Sequence, residues 1–236
     1  MDKPIYIITT SFNERKNIVG LLDCISKLDR SLFKWIVVDN YSSDGTYELI
    51  VDSGLATIAL QKECSLYEGI NIGLSYFEKG YYIVLGCDDK LYDVGLNIIK
   101  TAIMKKSEAR IHFFPVDKNG KQVVPNKNNF FRRHFGWFSI CASHSVGSAI
   151  DRSLHAKYGV YDLNYPILAD GFFLTKVLFN KEKICIHSDS SVGSFGVEGT
   201  SSRNRRKMLN EVLSIMKQFS PKMFQYILYW YRVIKG

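Results

Sequence analysis

Alternation of short apolar runs with helically spaced segments points to an α/β fold: a mostly parallel central sheet flanked by helices on both faces. Three observations carry this expectation. The runs "IYIITT" (5–10), "WIVVD" (35–39), "TIAL" (57–60), "YYIVLG" (81–86) and "IHFFPV" (111–116) are β-branched and aromatic, and nearly continuous in apolar character. Strands buried on both faces read that way. Between the first four runs, apolar residues recur at three- and four-residue intervals, the period of an amphipathic helix. The chain has 236 residues, 46% hydrophobic and 23% charged, enough for one sizeable domain or a domain with an appendage.

Each element has a local reason. "MDKPIYIITTSF" has a short apolar core and no small-residue cleavage site, so a first strand is expected there and not a leader peptide. In "NIVGLLDCISKL" the residues Ile18, Leu21, Leu22, Ile25 and Leu28 form one helical stripe. "YELIVDSG" closes on Gly54 as a C-cap, and "LYEGINIGLSYF" repeats the helical pattern. After residue 116 the character changes. "DKNGKQ" carries an Asn-Gly hairpin signal, and "NKNNFFRRHFGWF" is a polar, basic and aromatic loop. "YGVYDLNYPILADGFFLTKVLF" predicts a turn, then a helix beginning near Asp170 with Phe173, Leu174, Val177 and Leu178 inward. On local pattern alone Asp170 would be that helix's N-cap. "DSSVGSFGVEGTSS" is a Gly/Ser-rich loop, a lid or a plain linker. Pro221 separates two further helices, 203–219 and 221–235. The expected division is a core domain over 1–202 and a basic amphipathic helical appendage over 203–236.

Charge is unevenly spread. From Arg203 onward there are eight Lys/Arg against one acid, Glu211, while the rest of the chain is close to balanced. An anionic partner for the tail follows. Met208, Leu209, Val212, Leu213, Met216 and Phe219 form an apolar stripe on its first helix, and its second is crowded with aromatics. Such a pair suits an anionic membrane surface; the stripe would equally pack on the core or on a second subunit. No nucleic-acid-binding motif is present. No run reaches the ~20 apolar residues of a membrane span. The five cysteines are scattered without a CxxC pair, which suggests free thiols in a reducing cytosol and neither a disulfide frame nor a zinc site.

In open parallel sheets, ligands bind beyond the carboxyl ends of the strands. Three polar clusters fall there: "TTSFNE" (9–14), "VVDNYSSDGT" (37–46) and "GCDD" (86–89). Asp39 could accept from a base or ribose, and Asp88 with Asp89 could hold a divalent cation on a diphosphate. Asp44 with Ser42 and Ser43 is also an ordinary helix entry, and the paired aspartates an ordinary acidic turn. There is neither a GxGxxG after the first strand nor a GxxxxGK[ST], so dinucleotide and P-loop folds are not supported.

Taken together, "IITTSFNERKNI", "WIVVDNYSSDGTYELI" and "LYEGINIGLSYFEKGYYIVLGCDDKLY" resemble the family 2 glycosyltransferases of the nucleotide-diphospho-sugar (GT-A) fold, with their "TxxxNE", "VVDDGSTDGT" and "GDYIxFLNADDxLY" motifs. The likeness continues through "ASHSVGSAIDRSLHAKYGVYDLNYPILADGFFLTKVL" and ends near "FGVEGTSS", covering residues 5 to about 202. Its flavour is that of enzymes building capsule, exopolysaccharide or O-antigen repeat units. The resemblance implies an inverting transferase. Thr9, Glu14 and Asp39 would form the nucleoside pocket, and Tyr67 and Asn71 would line the donor-sugar side. Asp88, assisted by Asp89, would ligate Mn²⁺ or Mg²⁺, and Asp170 would be the catalytic base. His144, matching a family histidine, would contact acceptor or diphosphate or serve structurally. Arg132 and Arg133, set among aromatics, would grip an acceptor phosphate or form a solvated loop.

The implied partners are a nucleotide-diphospho-sugar, a UDP-sugar foremost, and a lipid-linked glycan acceptor at the inner face of the plasma membrane. Three positions depart from the family pattern. Gly86 replaces the first acid of Asp-x-Asp, Asn40 the second acid of "VDD", and Gly171-Phe172 the "YD" after the base. These losses leave a second reading open, a catalytically silent subunit that scaffolds glycan assembly. A sugar-nucleotide-forming nucleotidyltransferase is disfavoured by the lack of a basic, Gly-rich phosphate loop after the first strand.

Overall fold

The computed structural model describes residues 4–126, 144–196 and 204–235. Strand and helix alternate at first: β1 (Ile5–Ser11), α1 (Arg15–Lys27), β2 (Phe33–Asp39), α2 (Thr46–Ser53), β3 (Thr57–Leu60), α3 (Leu66–Ser75) and β4 (Tyr81–Val84). Then come β5 (Lys90–Leu91), α4 (Asp93–Lys105), β6 (Ile111–Phe113), β7 (Val116–Lys118), β8 (Lys121–Val123), β9 (Ser148–Asp151), α5 (Leu154–Tyr158) and α6 (Ala169–Phe179). The chain closes with β10 (Ile184–Ile186), β11 (Gly193–Ser194), α7 (Arg205–Met216) and α8 (Lys222–Lys235).

Seven strands form the main sheet in the order β10-β6-β9-β4-β1-β2-β3, parallel throughout except for β9. Its near-continuous apolar strands are explained by two covered faces. Ile5, Ile7, Trp35, Val37 and Ile83 join Ile18, Leu21 and Ile25 of α1 and Leu96 and Ile99 of α4 on one side. Ile8, Ile36 and Tyr82 join Tyr67, Ile70 and Leu74 of α3 and Phe173 and Val177 of α6 on the other. Glycines set how closely α3 lies on β1. A Cβ at Gly69 would come within 2.7 Å of Thr10 Cγ2, and one at Gly73 within 2.6 Å of Ile8 Cγ2. A Ser65–Glu68 capping box fixes where this helix starts.

The 111–116 run is not one strand. Pro115 breaks it, so β6 stays in the main sheet while β7 enters a small sheet ordered β5-β11-β7-β8. The β7–β8 hairpin turns on Asn119 and Gly120, both with positive φ (50° and 72°), as a two-residue type I′ turn requires. The helix near Asp170 begins one residue earlier than expected. Leu168 is the N-cap, so Asp170 lies inside the first turn and its carboxylate is not the cap.

The first helix of the tail is part of the core. Leu209, Val212, Ile215 and Met216 of α7 are buried against Ile167, Leu168 and Phe172. Buried Glu211 accepts hydrogen bonds at Oε2 from the N–H groups of Ile167 (3.1 Å) and Leu168 (2.9 Å), two donors at the entry to α6. The second helix lies on the first. Tyr229 Oη donates to Asn210 Oδ1 (2.8 Å) and Arg205 donates to the Arg232 carbonyl (2.8 Å). No helix among the described residues is long and apolar enough to cross a membrane.

Candidate active site at the carboxyl edge of the sheet

The parallel registers of β1, β2 and β4 bring their carboxyl ends to one edge. The loops beyond β1 and β2 are stitched together there. Asp39 is wholly buried; its Oδ2 accepts from Ser11 Oγ and Ser42 Oγ (2.7 Å each), and its Oδ1 from the Ser42 N–H (2.8 Å). Asn13 N donates to Ser42 Oγ, and Ser43 N donates to Asn13 Oδ1. Half-buried Glu14 stands at the N-cap position of α1 without a side-chain cap, and its N–H donates to Thr46 Oγ1 (2.9 Å). Asn40 brackets the Cys64 backbone, donating to its carbonyl and accepting from its N–H. A carboxylate there would lose the donating half of that bracket, which gives this departure from the family pattern a structural reason.

Two expected pocket residues turn inward. Thr9 is fully buried and its Oγ1 accepts from Trp35 Nε1 (3.0 Å), so it fixes an indole and does not line a cleft. Asn71 spends both ends of its amide on the backbone of Tyr161, donating to its carbonyl (2.8 Å) and accepting from its N–H (2.9 Å). Its role is to hold the segment that leads to Asp170.

The paired aspartates divide their work. Asp89 is buried; its Oδ2 accepts from the Gly86 N–H (2.7 Å) and its Oδ1 from the Gly196 N–H (3.3 Å), pinning the loop after β4 to the strand end after β11. Burial raises its carboxyl above the usual range, opposed by the charge of His144, whose Nδ1 lies 3.8 Å away. Each oxygen thus holds one backbone N–H, so Asp89 anchors these two segments whether or not it also meets a cation. Asp88 is exposed. It packs against Gly196, where a Cβ would lie 1.8 Å from Asp88 Oδ2, so a side chain there would displace this carboxylate. One exposed carboxylate, completed by diphosphate and water oxygens, is a donor set that suits Mg²⁺ or Mn²⁺. His144 stacks on Phe195 (centroids 4.4 Å, 2° between planes).

Asp170 meets Tyr67. Tyr67 Oη lies 2.6 Å from Asp170 Oδ1 and 2.9 Å from the Ile167 carbonyl, and the Gly171 N–H donates to the same Oδ1 (2.7 Å). Burial raises the Asp170 carboxyl, while Tyr67, Gly171 and the charge of His144 oppose the rise. His144 is thereby the neighbour common to Asp89 and Asp170. Phe195 and Gly196 open the "FGVEGTSS" stretch that the family resemblance includes, whereas Glu211 carries no motif and only its neighbours in space reveal it. Arg132 and Arg133 lie outside the described residues, as do 197–203 of the Gly/Ser-rich loop.

The sequence profile described as Glycosyl transferase family 2 matches residues 6–159, well over half of the chain. The protein belongs to this family. It is a glycosyltransferase, and its mostly parallel α/β sheet is the GT-A fold of the solved structures similar to it. The mannosyltransferase PcManGT from Pyrobaculum calidifontis, in complex with GDP-Man and Mn²⁺, superposes with a TM-score of 0.70 at 16% identity, over 98% of this transferase and 70% of that chain. TarS 1–349 from S. aureus in complex with UDP-GlcNAc gives 0.69 at 16% identity, over 94% and 69%. Glucosyl-3-phosphoglycerate synthase from Mycobacterium tuberculosis, in complex with Mn²⁺, UDP and glucosyl-3-phosphoglycerate, gives 0.65 at 14% identity, over 91% and 80%. At such identities these structures establish the transferase's fold. No curated protein matches its sequence.

Proposed function

We infer that this transferase moves a sugar from a nucleoside-diphospho-sugar, UDP-linked foremost, to a hydroxyl of a lipid-linked glycan, with inversion at the anomeric carbon. The observation that carries this reading is the Asp170 carboxylate, held by Tyr67 beside His144, at the sheet edge where Asp88 stands exposed. Solved relatives in complex with UDP-GlcNAc or GDP-Man support a nucleotide-sugar donor.

The chemistry follows from the residues. An acceptor hydroxyl must lose its proton as its oxygen attacks the anomeric carbon. Asp170 takes that proton at Oδ2, because Oδ1 is already occupied by Tyr67 and Gly171. The bond to the diphosphate breaks on the opposite face, so one carboxylate suffices and the centre inverts. Asp88 would hold Mn²⁺ or Mg²⁺, which neutralises charge on the diphosphate leaving group. Glu14 and the Asp39-centred loop shape the nucleoside end, and His144 faces the diphosphate or the acceptor.

Thermal unfolding with UDP, GDP, dTDP and CMP, each with and without Mn²⁺, tests the reading in wild type, Asp88→Ala and Asp170→Asn. One nucleotide is expected to stabilise the wild type, more so with Mn²⁺. Asp88→Ala loses the metal increment, and Asp170→Asn keeps the stabilisation while losing transfer. No shift with any nucleotide would overturn the donor site and favour a silent scaffolding subunit.

A further inference from the structure

Away from the donor site, the main sheet places three metal-ligating side chains together. The parallel pairing of β6 with β10 sets Cys185 opposite His112. Side chains alternate along a strand, so His187, two residues beyond Cys185, returns to the same face. The His187 N–H donates to the Phe113 carbonyl (2.8 Å), which continues the ladder and fixes that position. His112 Nδ1 and His187 Nε2 are 3.2 Å apart, and ligand atoms of His112, Cys185 and His187 all lie within 4.8 Å of one another. His112 is fully buried while Cys185 and His187 are partly exposed, so the cluster has a rigid inner end and an open outer one. The rings are held by stacking: His187 lies on Phe114 (4.4 Å, 5°), and His112 has Tyr81 edge-on (5.7 Å).

We propose that His112, Cys185 and His187 form a zinc site that ties the edge strand β10 to the sheet. Two imidazole nitrogens and a thiolate are the borderline-soft ligands that Zn²⁺ takes, in place of the all-oxygen sets of Mg²⁺ or Mn²⁺. Tetrahedral bonds of about 2.0–2.1 Å to nitrogen and 2.3 Å to sulfur put the ligand atoms roughly 3.3–3.6 Å apart. The imidazole nitrogens, 3.2 Å apart, are close to that spacing, and the Cys185 thiol lies within 4.8 Å of both. On binding, the Cys185 thiol gives its proton to solvent, and a water fills the fourth position. Sequence spacing hid the site, because His112 stands 73 residues before Cys185 and no pair of cysteines marks it.

The test uses chelator-treated full-length protein without nucleotide, titrated with Zn²⁺ and, separately, Co²⁺. The expected result is one Zn²⁺ per chain, a rise in melting temperature, and a thiolate-to-cobalt charge-transfer band. Cys185→Ser should abolish the band, and both Cys185→Ser and His187→Gln should weaken Zn²⁺ binding by at least about tenfold. These variants spare the buried His112, and Asp88→Ala is expected to bind Zn²⁺ as the wild type does. Failure of the wild type to bind Zn²⁺, wild-type affinity in either cluster variant, or loss of binding in Asp88→Ala would overturn the proposal.

Discussion

At Asp170 burial, opposed by a few polar neighbours with Tyr67 foremost, sets the working range of the proposed base. Burial raises the carboxyl and the Tyr67 O–H, by donating to the charged form, pulls it back. Only the deprotonated form can take a proton, so transfer should be lost as pH falls through this raised pKa. The acid limb is expected above the roughly 3.9 of a free aspartate. Tyr67→Phe removes the opposing donor and should move the limb to higher pH, whereas Asp170→Asn should cost about 10²–10⁴-fold above the limb and abolish the limb itself. A pH–rate profile with the same acid limb in Tyr67→Phe would contradict this. A second titration concerns stability. His155 is buried, its Nδ1–H donates to the Gly159 carbonyl (3.0 Å), and its Nε2 accepts from Tyr82 Oη (2.7 Å), an arrangement for neutral imidazole. Burial lowers its pKa to about 4. The unfolded chain takes up the proton near 6.5 and the folded chain only near 4, so stability is present above 6.5 and drains away between the two. The loss is on the order of 3 kcal/mol. Urea unfolding at pH 7 and pH 4.5 should show it, with a smaller drop in His155→Gln. Residue identity pointed to the proposed site, since Asp88, Tyr67 and Asp170 all stand in recognisable motifs. It did not announce direction: Thr9, Asp39, Asn71 and Asp89 lie in the same motifs yet spend their polar atoms on protein partners. Nor did it show that Tyr67 meets Asp170, a contact spanning 103 positions.

At the scale of elements, α7 reaches the site through one side chain. Glu211 accepts both N–H groups at the entry to α6, one residue of which, Ile167, also offers its carbonyl to Tyr67. Glu211→Ala leaves two buried donors without an acceptor, at about 1–3 kcal/mol each. The segment that carries Asp170 should then loosen. The expected result is a fall in kcat larger than the change in donor KM, with partial rescue by Glu211→Gln, which retains one acceptor oxygen. Equal kinetics in all three proteins would show that α7 supports the fold without positioning the base. Most strands and helices were legible because period and burial agree in them, as in β3, which spans the four residues of the "TIAL" run, and in the Asn-Gly hairpin, but the 13-residue α4 was not read from the sequence. The three-residue β10 and the two-residue β5 and β11 were not, being too short to show a period. The apolar stripe of α7 has the same period whether core, lipid or a subunit covers it; the contacts with Leu168 and Phe172 distinguish these.

For the molecule as a whole, what α7 hides α8 displays. Met223, Ile227, Trp230 and Ile234, spaced at four, seven and eleven residues along one side of α8, are each 60% exposed or more. Tyr226 and Tyr231 flank this stripe, no acid occurs in the helix, and Lys222, Arg232 and Lys235 supply positive charge. Aromatic and aliphatic residues on one face with lysine and arginine nearby match the requirements of an anionic lipid surface. Each basic residue near such a surface adds about 1 kcal/mol, so the tail's charge would hold a nearly neutral body at the membrane without a spanning helix. This would place the donor site beside a lipid-linked acceptor. Co-sedimentation should therefore show binding to vesicles containing phosphatidylglycerol, little to phosphatidylcholine alone, and release by salt as the Debye length shrinks. Trp230→Asp should abolish sedimentation while leaving transfer to a detergent-soluble acceptor unchanged. Equal binding to neutral vesicles would remove the electrostatic half of the argument. A concentration-dependent dimer in light scattering that Trp230→Asp dissolves would instead assign the stripe to a second copy of the chain.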